Sequence, residues 1–210
     1  MSEQLARQLQ QGLVELGLSV DETVQSELLS YVALLHKWNR AYNLTSVRKP
    51  DLMVTRHLLD SLAISPYLSS GRILDVGTGA GLPGIPLALL RPKDEFVLLD
   101  SNSKKTRFIT QAVAELGIKN VAVVQARVEE YQPEQLFNTI ISRAYSTLAN
   151  MVEGTRHLLA GSGEFIAMKG VYPMAEVDGL PEDMQLTKAQ PLSVPGLDAE
   201  RNLLIIQQKP

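Results

Sequence analysis

Residues 73–88 constrain the fold more than any other stretch of the chain. Ile73, Leu74 and Val76 form a short apolar run with Asp75 inside it, and Gly77, Gly79 and Gly81 follow at once. Ile85, Leu87, Ala88 and Leu89 then begin a helical pattern. A short apolar run stopped by glycine reads as a buried strand. Strand, glycine turn and helix make the first unit of a doubly wound α/β sheet, whose ligands bind beyond the carboxyl ends of the strands. Glycine lacks a Cβ, so it accepts positive φ and lets a ligand come against the backbone. Pro83 and Pro86 fall early in the helix, where a missing N–H costs little. A tight turn that binds nothing needs fewer than three glycines in five residues, so the stretch predicts a ligand loop.

Two cofactor frames overlap in it. Gly79-Ala80-Gly81-Leu82-Pro83-Gly84 fits the G-x-G-x-x-G pattern of dinucleotide binders, with Asp100 near the expected distance further on. Two residues earlier, Asp75-Val76-Gly77-Thr78-Gly79-Ala80-Gly81 resembles motif I of the Rossmann-like methyltransferases that bind S-adenosylmethionine. Charge separates the two. Asp75 beside a pyrophosphate would be repulsive, whereas the ammonium group of a methionine moiety favours a nearby acid. Asp75, Gly77, Gly79 and Gly81 are therefore expected at the cofactor.

Composition excludes several classes. The chain of 210 residues allows one large α/β domain, or a domain with a small addition, and 45% apolar residues allow a sizeable core. No apolar run approaches membrane-spanning length, and the N-terminus lacks a signal-peptide core. There is no cysteine, so thiolate chemistry is excluded and a cytoplasmic home is expected. The net charge of −3 does not mark a nucleic-acid binder, so any such contact needs a local patch. One exists. From His36 to His57 the charged residues are Lys37, Arg40, Arg48, Lys49, Arg56 and a single acid, Asp51, a formal +4. Trp38, Tyr42 and Asn43 lie among them, and bases stack on such rings. A solvated helix face with Trp38 and Tyr42 in the core is the better reading for each aromatic alone. For the cluster together, RNA contact is favoured, through Lys37, Arg40, Arg48 and Arg56. His57 and Asp60, three apart on a helix, read equally well as a local hydrogen-bonded pair.

The rest of the chain alternates. Residues 1–70 read as helices, one on Leu5, Leu9, Leu13 and Leu16, one on Val24 to Trp38 behind a Ser19–Glu22 capping box, and one from Pro50 to near Pro66. Residues 71–210 carry strands at Glu95–Asp100, Val121–Val124, Thr139–Ser142 and Gly163–Met168, with helices at 101–116 and 148–159. A terminal hairpin follows, Leu186 to Val194 and Arg201 to Gln207. Asp100 ends its strand where an acid accepts hydrogen bonds from ribose hydroxyls; a helix N-cap is the competing reading. Residues 171–185 carry no motif.

Five blocks in register resemble one family. His36-Lys37-Trp38-Asn39-Arg40-Ala41-Tyr42-Asn43-Leu44-Thr45-Ser46-Val47, Arg56-His57-Leu58-Leu59-Asp60-Ser61-Leu62, residues 73–88, Ser142-Arg143-Ala144 and Met168-Lys169-Gly170 look like the bacterial small-subunit ribosomal RNA methyltransferase G family, also called the glucose-inhibited division protein B family. The resemblance covers nearly the whole chain. It implies a class I methyltransferase sheet with helices on both faces, an antiparallel C-terminal hairpin and a helical N-terminal extension. It also implies methyl transfer from S-adenosylmethionine to N7 of one guanine in 16S rRNA near the decoding centre, on free RNA or the small ribosomal subunit. Carried over by position, Gly77, Leu82, Val128, Glu129 and Arg143 hold the cofactor, with Asp100 a ribose partner. Without the family, Arg127 and Glu129 read as surface charges. Arg143 and Lys169 suit a cofactor carboxylate or an RNA phosphate, and Asn39, Asn43, Tyr145 and Ser146 are the neutral groups proposed near the target base. A monomer without metal or membrane contact is expected. The alternatives are a nicotinamide-dependent enzyme, a small-metabolite methyltransferase, and a ribosome-assembly protein that binds without turnover.

Overall fold

The computed structural model describes residues 3–143 and 145–210. Among them, seven strands form one sheet in the order β3-β2-β1-β4-β5-β7-β6. The strands are β1 (Arg72–Val76), β2 (Glu95–Asp100), β3 (Val121–Gln125), β4 (Phe137–Ser142), β5 (Leu159–Lys169), β6 (Met184–Pro191) and β7 (Asn202–Gln208). β1 to β5 run parallel, and β7 enters antiparallel between β5 and β6. β1 has β2 on one side and β4 on the other, so the order in which strands are added reverses at β1 and leaves a crevice at the carboxyl ends of β1 and β4. This is the class I methyltransferase arrangement.

The N-terminal helices are α1 (Glu3–Glu15), α2 (Glu22–Tyr42), α3 (Pro50–Met53) and α4 (Asp60–Leu62). Their buried leucines share one apolar core with α5 (Gly84–Leu90), α6 (Ser103–Leu116) and one face of the sheet. A smaller core on the other face is covered by α7 (Leu148–Thr155), with Val177 of α8 (Met174–Asp178) packed at its edge. The central strands are apolar on both sides because both faces are covered.

Several local expectations change. The capping box at Ser19 is not used: α2 is preceded by Asp21, whose side chain makes no capping bond. The third helix is not uniform. Between α3 and α4 the backbone is π-helical over Val54–Leu59, and the Asp60 N–H donates to Thr55 O, five residues back. Such an insertion shifts the side chains that follow it around the axis and often marks a functional site. The helix from 148 stops at Thr155, because a 3₁₀ turn at Arg156–Leu158 releases β5 four residues earlier than the apolar pattern suggests. Residues 171–185, without a motif in sequence, hold the short α8.

Candidate active site

The loop after β1 folds around a carboxylate. Asp75 is fully buried, and its Oδ2 accepts hydrogen bonds from the Thr78 hydroxyl at 2.6 Å and the Gly84 N–H at 2.8 Å. A Cβ on Gly84 would lie 2.1 Å from Leu98 Cδ2 and 2.8 Å from Asp75 Oδ2, so only glycine lets α5 start this close to β1. Asp75 Oδ1 has no partner among the described residues, and burial pushes the carboxyl up to about 7 despite its two hydrogen bonds. Asp75, expected at the cofactor, is turned beneath the loop and does not line the cavity above it. Its two hydrogen bonds hold the loop that carries Gly77, Gly79 and Gly81. Gly81 and Leu82 turn the loop by donating their N–H groups to Thr78 O, and the Leu82 side chain is buried.

Above the loop lies a cavity of about 210 Å³ that brings together Gly77, Asp100, Val128 and Glu129 with Leu99, Ala126 and Tyr145. Gly77 has φ +66°, and a Cβ there would meet nothing within 4 Å, so the main chain is bare on its open side. Asp100 is not a helix cap. Asn102 caps α6, its side chain accepting from the Lys104 and Lys105 N–H groups. Asp100 instead ties the loop to β2: Oδ2 accepts the Gly79 N–H and Oδ1 the Asn102 N–H, each at 2.9 Å. Each oxygen keeps a second lone pair for a hydroxyl donor. Tyr145 stays a phenol, its pKa raised by burial and then by Glu129. A diol acceptor, an apolar wall and a bare glycine turn fit an adenosine-type cofactor.

A second cavity, of about 320 Å³, opens beyond Arg143 and is lined by Arg56, His57, Asp60, Arg143, Lys169 and Arg201, among others. Four cations face one buried acid there. Asp60 is 1% exposed; Arg201 Nε donates to its Oδ1 at 2.7 Å, and Arg143 Nη1 lies 3.6 Å from its Oδ2. Arg143 Nη1 also donates to Arg56 O at 3.2 Å. Lys169 donates to Ser146 O at 3.2 Å and to Glu176 Oε2 at 2.8 Å. His57 and Asp60 are not paired. His57 Nε2 sits 2.9 Å from the Thr45 hydroxyl and Nδ1 3.0 Å from Arg56 O. Burial, then Arg143, lowers the imidazole to about 4, so His57 is neutral near pH 7 and adds no charge.

The other expected residues fall outside both cavities. Asn39 is buried; its amide donates to Val47 O and accepts the Thr45 N–H, so it builds the 43–47 loop rather than facing a base. Asn43 takes φ +51° at the end of α2 and accepts from Arg48 Nη2 at 2.8 Å. Arg48 is thus turned onto this loop, donating also to Asn39 O. Lys37 and Arg40 are exposed on α2. Trp38 packs on Phe108 and stacks with Tyr42, ring centroids 5.7 and 5.2 Å apart. Ala144 of the Ser142-Arg143-Ala144 block lies outside the described residues. Sequence reasoning left out Arg201 and gave Asp60 no role at the site. Asp60 stands in the Arg56–Leu62 block and Arg201 in none of the blocks, and nothing along the chain joins two residues 141 positions apart that meet at 2.7 Å in the fold.

The chain matches the family described as GidB, rRNA small subunit methyltransferase G, over residues 24–205. It is 53% identical over 200 residues to the ribosomal RNA small subunit methyltransferase G of Shewanella amazonensis, covering 95% of this chain and 97% of that one. It is 51% identical over 204 residues to the protein of the same name from Pseudomonas aeruginosa, covering 97% and 95%. Among solved structures it resembles the glycopeptide N-methyltransferase MtfA complexed with S-adenosyl-L-homocysteine (TM-score 0.61, 12% identity, 73% of this chain and 87% of that one). It also resembles the ribosomal protein L11 methylase of Lactobacillus delbrueckii subsp. bulgaricus (TM-score 0.57, 16% identity, 72% and 77%). These two likenesses concern the fold. The chain belongs to the rRNA small subunit methyltransferase G family.

Proposed function

We propose that this member of the family transfers a methyl group from S-adenosylmethionine to N7 of a single guanine in 16S rRNA, near the decoding centre of the small subunit. One observation carries the reading. The cavity walled by Asp100 and Tyr145 and the cationic cleft lie next to each other beyond the carboxyl end of β4, with Tyr145 lining one and Arg143 the other. The cofactor, when bound, supplies an electrophilic methyl group on a sulfonium.

The residues then divide the work. Gly77, Gly79, Gly81 and Leu82 shape the bare turn, Asp100 accepts the ribose hydroxyls, and Val128 and Glu129 take the adenine. Arg143, at the boundary, holds the cofactor carboxylate. Lys169 and Arg56 hold RNA phosphate. Guanine N7 carries a free lone pair in the ring plane, so no general base is required. Alignment and exclusion of water suffice, and orientation alone can supply about 7–11 kcal/mol of the barrier. The product base gains positive charge, so the cations of the cleft belong on phosphate and carboxylate rather than against the ring. A neutral His57 in the cleft wall avoids adding to that repulsion. Such an enzyme works as a monomer, in the cytoplasm, without metal.

The test is to incubate the protein with tritium-labelled S-adenosylmethionine and small subunits lacking the modification, then map the label. Label on one guanine of 16S rRNA is expected. No label in any RNA, with cofactor binding intact, would replace this reading with a small-molecule substrate or a binding protein. Arg143→Ala is expected to weaken cofactor binding in calorimetry; an unchanged affinity removes the carboxylate role.

A further inference from the structure

Seven large apolar residues are exposed among the described residues, and three of them fall within four positions: Val171 at 74%, Tyr172 at 36% and Met174 at 68%. Scattered exposed apolar side chains need no explanation, whereas a contiguous group marks a contact surface. This group begins one residue beyond Gly170, which lines the cationic cleft at the end of β5.

The segment is held in place from below. Glu176, one turn further on, accepts from Lys169 Nζ at 2.8 Å and from the Leu148 N–H at 2.8 Å. The Met174 N–H donates to Tyr172 O, and the Glu176 and Val177 N–H groups donate to Pro173 O. Backbone and acid are spoken for, and the apolar side chains are left outside. A strap that closed on the protein's own core would bury them.

We propose that Val171, Tyr172 and Met174 form a platform for an unstacked nucleobase of the RNA strand that carries the target. The partner must be anionic where it crosses Arg56, Lys169 and Arg201, and flat and apolar within two residues of that crossing. Single-stranded RNA has both properties in alternation, phosphate then base. Stacking on an aromatic ring such as Tyr172 is tolerant of sequence, because every base has a π-face. The inference rests on the RNA reading above and names the part of the surface that takes a base.

The side chains are exposed, so their replacement leaves the fold intact. The Val171→Ser, Tyr172→Ala, Met174→Gln triple variant is expected to keep the melting temperature and cofactor affinity of the wild type. Its KM for unmodified small subunits rises about 5- to 100-fold, the range for loss of base stacking, and the dependence of KM on salt keeps its slope. Tyr172→Phe, which keeps the ring, stays near wild type. With Tyr172 replaced by the photo-crosslinker p-benzoylphenylalanine, the crosslink falls on 16S rRNA beside the methylated guanine. A triple variant with wild-type KM, a flattened salt slope, or a crosslink confined to a ribosomal protein overturns the platform. A wild-type protein that leaves the particle unmethylated overturns the function itself and the platform with it; wild-type turnover with an unaffected variant overturns the platform alone.

Discussion

The two cavities, one lined by Tyr145 and the other by Arg143, are built by different means. The cavity proposed for the cofactor draws on residues 76–77, 99–101 and 126–129, the ends of β1, β2 and β3 and the turns after them. Parallel strands in register place those turns side by side, so the cavity follows from the sheet and its main chain. The cationic cleft draws on Val47, Arg56, His57, Asp60, Arg143, Met168 to Gly170 and Arg201. Its walls belong to separate parts of the chain, and a buried carboxylate, Asp60, joins two of its arginines. A cavity made by backbone should lose function through shape, and one made by charge through stability and salt response. Five variants press on that contrast.

Asp60→Ala should have the largest effect. It removes the acid between Arg143 and Arg201, and breaking such a pair costs about 3 kcal/mol, the low end for buried pairs because both arginines keep some contact with water. For a chain of this size that lowers the melting temperature by about 6–12 °C. Calorimetry should show it, with cofactor affinity at low temperature unchanged. An unaltered melting temperature would mean the cleft does not depend on Asp60.

Gly77→Ala comes next. Its φ of +66° lies in the left-handed region, where a Cβ costs about 1–2 kcal/mol. Titration calorimetry should show cofactor affinity falling about tenfold, or about 1.4 kcal/mol, with RNA binding retained. Equal losses at both ligands would erase the distinction between the cavities.

Asp75→Asn tests the carboxylate under the loop. The unfolded carboxyl ionises at 3.8 and the folded one at about 7. Between those values the folded chain keeps a proton that the unfolded chain has released, so ionisation of Asp75 lowers stability as pH rises from about 4 to about 7, and its contribution then levels off. Urea titrations of the variant should lack that decline. The amide oxygen still accepts from Thr78 and Gly84. A variant that keeps the wild-type slope would assign it to another group.

The smallest effect belongs to the Lys37→Ala, Arg40→Ala pair. Both cations are exposed and stand away from the cleft. Each should lower the slope of log affinity against log salt by at most about 0.9, with kcat unchanged. Arg56→Met, in the cleft, should raise KM more than this pair does. The reverse order would place the RNA path along α2.

The difference between the cavities also explains what could be read in advance. β1, its glycine loop and the acid ending β2 are local signals, and the loop and strand ends lie where the sequence suggests. The direction of Asp75 was not legible. An acid at a strand end points toward a ligand or under the loop depending on what packs beside it, and here the Thr78 hydroxyl and Gly84 N–H draw it under. Asn39 and Asn43 stand among basic residues, yet their hydrogen bonds go to the 43–48 loop, which a string of polar residues does not announce. The π-helical turn before Asp60 lies in a segment buried on nearly every side, so there is no one-sided apolar stripe whose shift could show it.

From residue order alone come the doubly wound sheet, the bare glycine turn at its switch point and a surplus of positive charge in a chain of net −3. These depend on hydrophobic period, glycine's missing Cβ and formal charge, which are properties of neighbours along the chain. Only the folded molecule assigns the cations. Asp60 and Arg201 are 141 positions apart and meet at 2.7 Å, and a contact across that separation exists only once the sheet has closed around it.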